Sequence, residues 1–167
     1  GRATSSELLR TSVSPAPMMR SSSPTLKYSA AASSSMFDGL FALAPTWDDV
    51  AWLKTQTHLP VLLKGILHPA DAVQAVQLGV DGVVVSNHGG RVLDTCVSVV
   101  DALPAIRQVC PPDYPILIDS GIRRGIDVLK AIALGASAVL IGRPYIYGLS
   151  VAGALGVAHT LKLLREE

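Results

Sequence analysis

Two stretches of the chain repeat one another, and this repeat limits the fold more than any other feature. PVLLKGI at Pro60–Ile66 is echoed by PILIDSGI at Pro115–Ile122, and DAVQAVQLGVDGVVVS at Asp71–Ser86 by DVLKAIALGASAVLIG at Asp127–Gly142. Each copy reads as strand, turn, helix, strand. The strands are apolar throughout, without the polar alternation of a one-sided sheet, so they belong in a parallel sheet covered by helices. Alternating β and α units of this size mean an α/β fold. The repeat favours a (β/α) barrel over an open doubly wound sheet.

Local signals divide the chain further. Thr46, with Asp49 after it, reads as an N-cap with an acidic N3 residue, and predicts a short helix through Val50, Trp52 and Leu53. Pro60 leads into a strand at Val61–Leu63. Pro69 and Asp71 open a helix that Gly79 closes. A strand at Val83–Val85, a helix near Val99–Val109, a strand at Ile116–Ile118, a helix at Ile126–Leu134 and a strand at Val139–Ile141 follow. An amphipathic helix from about Val151 to Leu164 is expected last.

Composition separates residues 1–44 from 45–167. From Ser5 to Ser35 the chain is rich in Ser, Pro, Ala and Thr without an apolar period. Such a segment buries too little to offset its ordering entropy. Its Arg- and Ser-rich, acid-poor character also describes a transit peptide. The start at Gly1 favours instead a long surface loop or the remnant of something cut away. The whole chain is 49% hydrophobic and 16% charged, so residues 45–167 are expected to be globular.

Net charge is +1, from 14 basic and 13 acidic residues, which argues against a nucleic-acid footprint or a polybasic membrane patch. No apolar run reaches the roughly 18–20 residues that span a bilayer. Cys96 and Cys110 lack CxxC spacing, so neither a metal site nor a redox pair is expected. A cytoplasmic location is expected, since the terminal Leu164-Arg165-Glu166-Glu167 is not a peroxisomal signal.

Polar residues collect at one end of the expected strands, where barrel enzymes carry their chemistry. Lys64 follows the first strand, Ser86-Asn87-His88 the second, Asp119 the third, and Gly142-Arg143 the fourth. The loops Asp119–Gly125 and Gly142–Pro144 combine glycines with arginines, which suits a phosphate. Taken singly, either loop could equally be glycines that only make turns, with Arg143 only solvating the surface. His88 can exchange a proton near neutral pH, and Arg91 can fork onto a carboxylate. Without the two-glycine spacer, this pair would read as an ordinary loop histidine with an exposed arginine. Lys64 is either functional or a lysine whose ammonium reaches the barrel mouth. His58, His68 and His159 read as surface or capping residues, Asp94 and Asp101 as solvated or capping carboxylates, Trp47 and Trp52 as helix packing, and both cysteines as small apolar residues.

The motifs LLKGI, VVVSNHGGR, LIDSGIRRGIDVLKAIALGA and VLIGRP resemble the C-terminal half of the FMN-dependent 2-hydroxy-acid oxidase family, which includes glycolate and lactate oxidases and mandelate dehydrogenase. The resemblance runs from about Thr46 to Glu167. It implies about four βα units of a (β/α)8 TIM barrel with FMN at its mouth. It implies His88 as the base, Arg91 as the carboxylate clamp and Lys64 beside the flavin ring. It further implies Ser86 in contact with the flavin, and Asp119, Ser120, Gly121, Ile122 and Arg123 along its ribityl and phosphate, completed by Gly142 and Arg143. The expected reaction is oxidation of a small L-2-hydroxy acid of the lactate or glycolate type to the 2-oxo acid. Oxygen, a quinone or a cytochrome stays open as acceptor, and the complete enzyme is expected to be a homo-oligomer. Ser120 departs from the family, standing where glycine is common, and Gly90 stands where alanine is frequent. The family's first strands have no counterpart here, which leaves a second expectation: an inactive fragment that still holds FMN or phosphate. A flavin-dependent isomerase or a relative of inosine-phosphate dehydrogenase is a third, which the SNHGGR segment disfavours.

Overall fold

The structure is a computed structural model that describes residues 44–167. The chain divides into two units, Gly1–Pro45 and Thr46–Glu167, and every element below belongs to the second. The Ser/Pro-rich segment expected over residues 1–44 therefore lies outside the described residues, apart from Ala44.

Four parallel strands form one sheet in chain order: β1 (Leu62–Ile66), β2 (Gly82–Val85), β3 (Ile116–Ile118) and β4 (Ala138–Val139). Helix α1 (Trp47–Gln56) precedes β1. Between and after the strands come α2 (Pro69–Gln77), α3 (Val99–Val109), α4 (Gly125–Ala133) and α5 (Arg143–Glu166). Side chains alternate across a strand, and here the two faces have different fates. Val83, Val85, Ile116 and Ile118 are fully buried in one cluster with Ala72 and Ala75 of α2, Leu103 and Ile106 of α3, and Ala131 of α4. Val84 is buried but stands outside that cluster, and Leu62 on the same face is exposed. Strands in sequential order with helices on a single face describe part of a (β/α)8 barrel. A doubly wound sheet would reverse its strand order and carry helices on both faces.

Local chemistry explains most boundaries. Thr46 caps α1 in a capping box: its backbone N–H and its hydroxyl both donate to Asp49 Oδ2, at 2.7 and 2.8 Å. Lys54 reaches Asp81 at 2.7 Å, and Asp81 also accepts the Val61 N–H at 2.8 Å, tying α1 to the start of β1 and β2. His68 is itself a cap, its Nδ1 accepting the Ala70 N–H at 3.2 Å. Below the sheet, Arg107 donates to the Tyr114 and Cys110 carbonyls at 2.9 and 3.2 Å and also to that of Pro111. The Tyr114 hydroxyl donates to the Val80 carbonyl at 2.8 Å. Burial pushes the Tyr114 phenol up to about 12 and raises the Cys110 thiol.

Four expectations need correction. The first strand does not end at Leu63. It continues to Ile66 because Gly65, at φ 100, forms a bulge that shifts the register between Lys64 and Ile66 without ending the pairing. The last strand is Ala138–Val139 rather than Val139–Ile141, although the Leu140 N–H still reaches the Ile118 carbonyl at 2.8 Å. The final helix begins at Arg143, well before Val151, because Pro144 sits where the first helical turn tolerates it. It also breaks at Ala152–Gly153, where Gly153 has φ 57. The break folds the chain back so closely that a methyl on Gly156 would collide with the Gly148 carbonyl. By length and composition alone, α5 is long and apolar enough to cross a membrane, contrary to the count of apolar runs. Its break divides it into two short pieces packed on each other.

Candidate active site

The C-terminal ends of β2, β3 and β4 open onto one cleft of about 680 Å³. That is within the roughly 300–1,000 Å³ of small-molecule and cofactor sites. It is lined by His88, Gly89 and Arg91 after β2, by Asp119–Arg123 after β3, and by Leu140 and Gly142–Pro144 after β4. Ile146 and Tyr147, on the first turns of α5, complete the wall. A second cleft of about 470 Å³ shares Gly89, Ser120–Arg123 and Arg143 and adds Lys130.

A polar network reaches from β1 to the cleft residue Asp119. Lys64 Nζ donates to Ser86 Oγ at 2.8 Å and pairs with Asp119 Oδ2 at 2.7 Å. Ser86 is buried, and its oxygen also accepts the His88 N–H at 3.1 Å. Burial alone would raise the Asp119 carboxyl. Hydrogen bonds from Lys64, Ser86 and Ser120, with the Lys64 charge, outweigh it and hold that carboxyl below the usual range. Asp119 is thus an anion at neutral pH, and it makes Lys64, inside β1, half of an ion pair.

The loop Ser86–Arg91 is wound tightly. His88 has φ 56, and Gly89 and Gly90 have φ 68 and 73. Asn87 Oδ1 accepts the Gly89 N–H at 3.1 Å, and the Asn87 carbonyl accepts the Gly90 N–H at 3.0 Å. Ser120 Oγ also accepts the Gly89 N–H, at 2.9 Å, and donates to Asp119 Oδ1 at 2.7 Å. Arg143 donates to the Gly89 carbonyl at 2.8 Å. Both glycine conformation and bare backbone matter at Gly89, since a methyl there would strike the Arg143 guanidinium.

The expected site residues fall into two groups. His88, Arg91, Asp119, Ser120, Gly121, Arg123, Gly142 and Arg143 line the cleft, with His88, Arg91, Gly121, Arg123, Gly142 and Arg143 exposed. Lys64 and Ser86 do not line it: Ser86 is buried and accepts the His88 amide, while Lys64 is exposed and pairs with the cleft residue Asp119. Ile122 borders the cleft, but its side chain is buried in the core, so only its backbone is available to a ligand. The sequence named Asn87 only as a strand-end polar residue, without its part in fastening the loop, and did not single out Tyr147. The Pro144 helix-start signal could have found Tyr147, because it places that residue one turn after Arg143.

The residues present fit FMN. A cleft of flavin-compatible size carries guanidinium groups at Arg123 and Arg143 for a phosphate and glycines at 121 and 142 that leave the backbone bare. A methyl added at Gly121 or Gly142 would meet no neighbouring atom, so the space beside each is open.

The profile of the FMN-dependent dehydrogenase family matches residues 2–167. This chain belongs to that family. The match begins well ahead of Thr46, where the motif resemblance starts. An L-lactate oxidase of Alicycliphilus denitrificans is 52% identical over 138 residues, which are 83% of this chain and 38% of that protein. A 2-hydroxyacid oxidase of Dictyostelium discoideum is 57% identical over 122 residues, 73% of this chain and 31% of that one. The crystal structure of mandelate oxidase with (S)-2-phenylpropionate superposes with a TM-score of 0.71 at 51% identity, covering 74% of this chain and 37% of that one. The family member described here thus spans roughly a third of the length of the relatives it matches.

Proposed function

We propose that this chain carries the flavin-phosphate cradle and the acid–base half of an enzyme that oxidises an L-2-hydroxy acid to the 2-oxo acid. The observation that carries this is the convergence of His88, Arg91, Asp119, Arg123 and Arg143 on one cleft. Arg123 and Arg143, with the backbone at Gly121 and Gly142, would hold the phosphate of FMN. Ser120, Asp119 and the backbone of Ile122 lie along the same wall. When bound, FMN supplies the two-electron acceptor that no side chain provides.

The chain's own residues supply the rest. Arg91 is exposed on the cleft wall and is free to fork onto a carboxylate. That contact would bring the carbinol of the substrate near His88, whose imidazole takes a proton as the carbinol carbon is oxidised. The tight turn at His88–Gly90 keeps this base and this clamp in one short loop. Lys64 has three N–H donors, of which two are given to Ser86 and Asp119. The third would stabilise negative charge on the reduced cofactor. Support also comes from relatives named as lactate, 2-hydroxyacid and mandelate oxidases.

Arg91→Ala tests the substrate assignment. Losing a charged carboxylate partner should lower kcat/KM by about 100-fold or more, with FMN retention unchanged. Unaltered kinetics across lactate, glycolate and mandelate would refute it.

A further inference from the structure

Two non-glycine residues in the described part of the chain adopt left-handed backbone, His88 at φ 56 and Ser120 at φ 72. Histidine visits this region more readily than most residues; serine gains nothing from it, and glycine would sit there without strain. Ser120 is nonetheless placed so that its hydroxyl spans two loops. Its Oγ accepts the Gly89 N–H at 2.9 Å and donates to Asp119 Oδ1 at 2.7 Å. The Gly89 N–H belongs to the peptide that leaves His88, so Ser120 grips the backbone immediately beside the imidazole.

The bond continues a longer chain of contacts. Lys64 holds Asp119 by Oδ2, Ser120 holds it by Oδ1, and Ser120 passes the link to Gly89. Asn87 Oδ1 shares the same N–H at 3.1 Å, but from within the same loop. Only Ser120 ties this amide to β3. Arg143, at the start of α5, grips the following carbonyl.

We infer that Ser120 is a positioning residue, whose hydroxyl fixes the His88–Gly89 peptide to β3 and thereby sets where the imidazole stands over the cleft. The geometry is independent of the reaction; its consequence for turnover rests on the role proposed for His88. Ser120→Gly separates this role from a merely structural one, because it removes the hydroxyl while relieving the left-handed strain. Ser120→Ala removes the hydroxyl and keeps the strain.

The two variants, with the parent chain, are compared by hydrogen exchange of the Gly89 amide, by Tm and, after FMN loading, by steady-state kinetics with a 2-hydroxy acid. Ser120→Gly is expected to leave Tm unchanged or higher and to speed Gly89 exchange roughly tenfold, the effect of about one lost hydrogen bond. Its kcat should fall several-fold at unchanged KM. Ser120→Ala should show the same exchange and kcat with a lower Tm. Unchanged Gly89 exchange in Ser120→Gly would overturn the inference, and so would faster exchange with unchanged kcat. If the parent chain itself shows no turnover, the proposed reaction fails for this chain, and Gly89 exchange alone still decides whether Ser120 holds the loop.

Discussion

Arg143 Nη2 lies 2.8 Å from the Gly89 carbonyl oxygen, joining the loop after β4 to the loop after β2. The phosphate-side arginine and the loop of the proposed base are therefore one mechanical unit. Gly89→Ala attacks that unit twice. It places a side chain at φ 68 and pushes against the guanidinium. The arginine end is flexible and will give way, so the stability cost should be only about 1–2 kcal/mol, the cost of left-handed backbone. The larger expected effect is weaker FMN retention together with slower turnover, measured by flavin fluorescence and steady-state kinetics. An effect on turnover alone would show that Arg143 and the loop act separately.

Asp119 gives the fold an acid-side signature. Its folded pKa lies below the usual carboxylate value, so between the two values the unfolded chain binds more protons than the folded one. The Lys64–Asp119 contribution is present above about pH 4 and is lost as pH falls through the folded value. Asp119→Asn should lower Tm at neutral pH and flatten its decline in acid. A Tm–pH curve parallel to that of the parent chain below pH 4 would contradict the assignment.

Tyr114 gives the opposite signature. Its folded pKa is pushed up to about 12, above the unfolded value near 10. The neutral phenol, donating to the Val80 carbonyl, stabilises the fold fully below pH 10, and this support is lost as pH rises toward 12. Thermal melts of Tyr114→Phe should lack this alkaline loss, and the two curves should converge near pH 12.

How much of this was legible in the sequence follows the physics of each element. The Val99–Val109 helix and the Ile116–Ile118 strand match their expected bounds, because burial on the helix-covered face dictates apolar residues there. The Thr46–Asp49 cap was legible because capping is local chemistry. The bulge at Gly65 and the break at Gly153 were not, since a glycine in sequence does not reveal whether pairing or helix continues past it. In the site, strand-end position identified His88, Arg91, Asp119 and Arg143 as cleft residues. The burial of Ser86 and the bridge from Ser120 to Gly89 depend on how two distant loops meet, which no local pattern encodes.

The chain is loaded with FMN, freed of unbound flavin, and its visible spectrum recorded before and after anaerobic addition of L-lactate, glycolate or mandelate. Retained flavin absorbance that bleaches with one of these acids is the predicted result. Flavin that is retained but never bleaches would contradict the proposed reaction while leaving the cradle intact, and flavin that is not retained would contradict both.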